Sequence, residues 1–374
     1  MAQPQPIEEQ TLLGYKHKRY YPVMIRETLK GRYRIFAKLG YGAYSTVWLA
    51  YDESTKQYTT VKVCIEQEGA SSSPVHNEVH MLRRMEKFAE VDHAGLDFTR
   101  LASDIFKVTS SRRQHYCIAL KPQGHSLCAL QVAFLDAKLL KLLVRSLMHR
   151  LFFSVNWLHA TCGFIYTGIY IPQNVLVEIE DDASLKDIKD APIYQSRTPM
   201  LEFSGIPILT DFGQVRDATG TNQKWCMSDL YRAPEILLQL PWSFPVNVWS
   251  AGVMTQELLE RQNLFDPIDH TLEQYVLLLA LAQYIAYLGP PPLHMIQKSP
   301  LFSTYFDPQG NWIAEPPIPK TSLEDFVTTI PPGGEKDLFF KFIRKILTWD
   351  PAIRASANEI ISDEWLMKPC EEMI

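Results

Sequence analysis

The feature that most constrains this chain is a change in the period of its apolar residues. From Tyr33 to about Leu120 they alternate with polar ones in short segments: YRIFAKLG, STVWLAYD, YTTVKVCIE and HYCIALK. A period of two puts alternate side chains on one face of a strand, so these segments predict a sheet. One helical stretch interrupts them, NEVHMLRRMEKF, with Val79, Leu82 and Met85 on one face. From Gln131 onward the period becomes helical. The run AKLLKLLVRSLMHRLFFSVNWLH sets Leu140, Leu143, Val144, Leu147, Leu151, Val155 and Leu158 along one stripe. The prediction is an α+β fold with a leader over 1–30, a small sheet-rich lobe over 31–120 and a larger, mainly helical lobe over 121–374.

The 374 residues, 46% of them hydrophobic, suffice for one two-lobed domain or two modest ones. A net charge of −5 gives no electrostatic reason to expect direct nucleic-acid binding. The six cysteines (Cys64, Cys117, Cys128, Cys162, Cys226, Cys370) form no C-x-x-C pair and no Cys/His metal spacing, so reduced thiols are expected. The start, MAQPQPIEEQTLLG, has no apolar core of the secretory kind. The longest apolar run, VLLLALAQYIAYLG, is short for a bilayer and contains Gln283, so it reads as a buried helix. A monomer of the cytoplasm, the nucleus or both, without membrane association, is expected.

Several residue types then point to phosphate and metal chemistry. Gly40 and Gly42 lie between two strand-like segments, where the backbone of a glycine turn can approach phosphates closely. Ordinary hairpins also carry two glycines. Lys62 sits between Val61 and Val63, and Glu78 opens the one helix of this half. A lone strand Lys is commonly a solvated edge residue; paired with Glu78 it is instead held for α- and β-phosphates. Asn174 and Asp211 offer hard oxygen donors suited to Mg²⁺ on a nucleotide. Glu235 and Arg354 are candidates for a buried ion pair in the helical half.

Taken in order, GYGAYSTVWLA, VKV, NEV, DFG, YRAPE, VWSAGV and DPAIRAS resemble a eukaryotic protein kinase domain. The resemblance spans roughly residues 33 to 367 and is closest to the SR-protein kinases and their fungal relatives. The leader YYPVMIRETLKGRYRIFAKLGYGAYSTVWLAYD and the segment HYCIALKPQGHSL are similar to theirs. It implies a two-lobed kinase fold that binds ATP and Mg²⁺. It further implies a base site built from Gly40, Gly42, Val47, the gatekeeper Leu120, the Lys121 carbonyl and the Gln123 N–H. Lys62 and Glu78 would then serve the phosphates, and Asn174 and Asp211 the metal. Arg/Ser-rich proteins become the implied partners.

One stretch departs from that pattern. Family members read CGxxHTDIxxxNxL, with a catalytic Asp five residues before the Asn. In CGFIYTGIYIPQNVL the base position falls at Gly168 counted forward from Cys162, and at Ile169 counted back from Asn174. The loop therefore carries one extra residue, and under either count no carboxylate fills the position. Asn247 also stands where the family has an Asp that accepts hydrogen bonds from this loop. The expectation is an ATP-binding protein with weak phosphotransfer, or a pseudokinase. The alternative is an active serine/threonine kinase in which another carboxylate, Asp181 or Asp182, is recruited. The acidic insert over about 178–204 reads as a solvated loop or as a docking surface for basic partners.

Overall fold

The computed structural model describes residues 19–66, 73–110, 113–134, 139–168, 171–179, 185–186 and 205–368. Ile169, Asp181, Asp182, Cys370 and most of the acidic insert lie outside the described residues. The chain divides into two compact units. The first comprises Met1–Asp92, Thr99–His125 and Leu176–Val215; the second comprises His93–Phe98, Ser126–Val175 and Arg216–Ile374. The segment Leu176–Val215, assigned above to the helical lobe, thus belongs with the sheet.

In the first unit, β1 (Thr28–Leu29), β2 (Tyr33–Gly42), β3 (Ser45–Asp52), β4 (Gln57–Cys64), β5 (Ala102–Ser110) and β6 (Arg113–Leu120) form one sheet. Its strand order is β1-β2-β3-β4-β6-β5, antiparallel throughout. Alternation works as predicted: Tyr33, Ile35, Trp48, Ala50, Val61, Val63, Cys117 and Ala119 join one buried cluster. Lys62, between two members of that cluster, must project from the opposite face.

Helix α1 (Pro74–Glu86) starts three residues earlier than its apolar pattern suggested. The start is set by Ser73, whose Oγ accepts the His76 N–H at 3.2 Å, with Pro74 in the first turn. Val75, Glu78, Val79 and Leu82 form its buried face.

In the second unit, α2 (Lys141–Asn156) is shorter than the apolar stripe and continues as a π-helical turn, Trp157–Cys162. Leu140 is 68% exposed and stands at the helix N-cap, so the stripe begins one turn too early; Val144, Leu147, Leu151, Val155 and Leu158 are buried. The centre of this unit is α3 (Pro245–Glu260), buried on all sides, as a helix apolar all round must be. Gly252 permits the close approach of Ile346, whose Cγ2 lies 2.4 Å from where a Cβ would stand. The run read as a buried helix is α4 (Leu277–Leu288), and among the described residues no helix is long and apolar enough to cross a membrane. The five described cysteines are free thiols.

Near the end of α3, Glu257 has its Oε2 shut off from solvent with no partner among the described residues. Burial pushes its carboxyl up to about 7 from an ordinary 4.5. An acid with a raised folded pKa binds more protons in the folded state between the two values, so stability falls as pH rises from about 4.5 to about 7. Glu257→Gln is expected to stabilise the protein by about 2 kcal/mol at pH 8 and by little at pH 4. Urea denaturation at both pH values checks this; an equal change at both would exclude a titrating carboxyl as the cause.

Candidate functional site

In the first unit the glycines lie on a tight hairpin. Gly42 pairs with Ser45 and Gly40 with Val47, leaving Ala43 and Tyr44 as the connection. Space is open where Gly40 or Gly42 would carry a Cβ. The Tyr20 hydroxyl, unremarked in the sequence, donates to the Gly42 carbonyl at 2.8 Å and ties the leader to the hairpin tip. Val47 pairs across to Lys62 on the next strand, so the hairpin and the lysine share a register.

The Lys62 ammonium bonds both Glu78 oxygens, at 2.7 and 2.8 Å, and stands 3.8 Å from Asp211 Oδ1. Burial works against its charge, but the Glu78 and Asp211 carboxylates outweigh that and hold it above the ordinary lysine range. A lysine so fixed is a charged donor held at a set position.

Asp211 has φ +64°, the left-handed region, where a non-glycine residue costs about 1–2 kcal/mol. Such strain persists only where neighbours enforce it, and it marks functional positions. Just beyond Asp211 the backbone is held by Asn77, whose Nδ2 donates to the Gly213 and Val215 carbonyls at 2.9 Å each. Phe212 is buried beside it while the Asp211 side chain is 54% exposed. An exposed carboxylate 3.8 Å from a fixed ammonium fits a site for a triphosphate carrying Mg²⁺. Asn77 has no signature in the sequence beyond standing before Glu78.

At the end of β6, Leu120 is buried, and its carbonyl accepts from the Thr59 hydroxyl at 3.1 Å. Lys121 is exposed and pairs with Glu178. The Gln123 side chain is buried, with Oε1 unpartnered among the described residues. Arg100, which the sequence does not single out, donates Nε and Nη2 to the Lys121 carbonyl at 3.2 and 2.8 Å.

In the second unit, Asn174 donates Nδ2 to the Gly168 carbonyl at 2.8 Å. The loop strand Phe164–Tyr166 is buried and anchored on α3. Asn247 Oδ1 accepts the Tyr166 N–H at 2.9 Å, and Asn247 Nδ2 donates to the Tyr166 carbonyl at 2.6 Å. His159 Nε2 also meets Asn247 Oδ1, at 2.9 Å. Burial lowers the His159 pKa to about 4, so the ring is neutral and carries its proton on Nε2. The amide thus both accepts and donates, and its neutral acceptor suits a neutral His.

These elements define a protein kinase domain, whose sequence model matches residues 33–366; the chain belongs to that family. Among its relatives, a serine/threonine protein kinase of Aspergillus fumigatus is 31% identical, over 96% of this chain and 91% of that protein. Serine/threonine-protein kinase SRPK of Physarum polycephalum is 24% identical over the same shares. SRSF protein kinase 3 of Mus musculus is 30% identical over 43% of this chain and 28% of its own length.

Proposed function

We propose that this chain binds Mg·ATP and transfers its γ-phosphoryl group weakly or not at all, as a pseudokinase of the serine/threonine family with SR-protein kinase relatives. The observation that carries the reading is a contrast. Lys62 pairs with Glu78 and stands 3.8 Å from Asp211, while the loop backbone bonded by Asn174 carries a glycine, Gly168. Bound Mg·ATP supplies the phosphoryl group and the metal charge. Lys62 is assigned to the α- and β-phosphates, Asp211 to the metal, and the hairpin around Gly40 and Gly42 to the phosphates through its backbone. A second reading, an active kinase on Arg/Ser-rich proteins, is favoured by the Lys62 pairing with Glu78 and by relatives named SRPK and SRSF protein kinase 3.

The binding half is tested by thermal unfolding. A ligand that binds only the folded state raises the melting temperature by mass action. Millimolar Mg·ATP is expected to raise it in the wild type, and Lys62→Met to remove most of the rise. No shift in the wild type would rule out the nucleotide reading.

A further inference from the structure

The carbonyl assigned to the adenine amino group is already engaged. Arg100 places Nε and Nη2 on the Lys121 oxygen at 3.2 and 2.8 Å. The contact is built into the fold on both sides. The Arg100 N–H donates to the Leu209 carbonyl at 2.9 Å, next to a parallel bridge between Thr99 and Leu209, two residues before Asp211. Just beyond Arg100, Ala102 pairs with Leu120 at the end of β6. Arg100 is half-buried, and the Glu78 carboxylate acts on its charge. Burial brings it down only to about 10, so it is charged at neutral pH.

We propose that Arg100 is a specificity-determining residue that removes the site's preference for adenine. This rests on the nucleotide reading above. A carbonyl oxygen has two lone pairs, and one that already takes two donors from a cation is a poor acceptor for the adenine amino group. A base with an oxygen at C6 meets the reverse situation: it loses the Lys121 carbonyl but finds guanidinium donors beside it, and Arg is well shaped to donate to such an edge. The Gln123 N–H still favours a purine with an acceptor at N1, as in adenine. Neither base class satisfies both positions, so discrimination is small.

The test compares Mg·ATP, Mg·inosine triphosphate and the Mg complex of purine riboside triphosphate, which lacks any group at C6, in full-length protein. Dissociation constants are read by calorimetry or thermal shift. In the wild type the three are expected to agree within about threefold, because the C6 group makes no net bond. In Arg100→Leu the Lys121 carbonyl is released, and Mg·ATP should bind about five- to tenfold more tightly than either analogue, the value of one hydrogen bond. Wild-type preference for ATP of tenfold or more over purine riboside triphosphate overturns the proposal, whatever the variant does. So does an unchanged ratio in Arg100→Leu. If that variant fails to fold, the wild-type comparison alone decides. Failure of the underlying nucleotide reading looks different: no triphosphate shifts the wild type.

Discussion

Purified protein given Mg·ATP and an Arg/Ser peptide is expected to transfer phosphate far below the 1–100 per second or so of ordinary protein kinases. A positioned general base contributes roughly 10²- to 10⁴-fold, about 3–5 kcal/mol of barrier. On the proposed reading that contribution is missing, because neither Gly168 nor Ile169 carries a carboxylate and the loop is one residue longer than the family pattern. The remaining terms, positioning and charge stabilisation, fall on this proposal to Lys62, Glu78 and Asp211, so binding should survive. Gly168→Asp alone is expected to restore little, because the extra residue still misplaces the carboxylate. Replacing YTGIYIPQN by a loop one residue shorter, with Asp five positions before Asn, should restore up to roughly 10²- to 10⁴-fold. Asn247→Asp belongs with that replacement. On its own it forfeits the 2.6 Å bond from Nδ2 to the Tyr166 carbonyl and sets a carboxylate against a neutral, buried His159. With the loop rebuilt, the carboxylate gives the backbone N–H a stronger acceptor and draws a proton onto His159. The assay is initial-rate phosphotransfer. An ordinary rate in the wild type, abolished by Asp211→Ala, would sink the proposal.

The sequence was most legible where one physical rule acts over many residues. Period-two alternation located the strands around Val61 and Val63, and from that Lys62 had to face away from the core, toward a partner. The helical run gave α2 but misplaced its start, because Leu140 is apolar by composition yet 68% exposed at the N-cap, where periodicity carries no information. Single contacts across long separations were not legible. Asn77 holds the backbone beyond Asp211 through two carbonyls, and any short polar side chain on that face of α1 would look the same in sequence. Arg100 is equally silent: nothing local distinguishes a guanidinium that bonds a carbonyl 21 residues away from one in water. The exchange at position 247 was visible, but its consequence was not. What the amide does depends on His159, which meets its Oδ1 neutral and buried, and no local pattern in the sequence brings the two together.

Arg354→Ala is expected to destabilise the second unit by about 3–5 kcal/mol, the usual cost of stranding one member of a buried ion pair. The pair is doubly hydrogen-bonded: Nη1 to Glu235 Oε1 at 2.8 Å and Nη2 to Oε2 at 2.9 Å, with both side chains fully shielded from solvent. The guanidinium also serves backbone carbonyls at Pro245 and Thr348, at 3.0 and 2.9 Å, and lies 5.2 Å from the Trp249 ring centre. One side chain thus joins the short helix Pro234–Leu237, the start of α3 and the segment after Gly334–Ile346. Truncation leaves the Glu235 carboxylate buried without its cation and takes a donor from each of two carbonyls, and water cannot reach the carboxylate unless the packing opens. The stranded charge is the larger part. A double variant, Glu235→Gln with Arg354→Met, keeps the volume and removes both charges, so it should lose clearly less than Arg354→Ala. What the double variant still loses measures the carbonyl contacts. Denaturant unfolding of wild type, Glu235→Gln, Arg354→Met and the double variant gives the coupling directly. If Arg354→Ala stays within experimental error of the wild type, or if the double variant loses as much as the sum of the singles, charge pairing is not what Glu235 and Arg354 contribute.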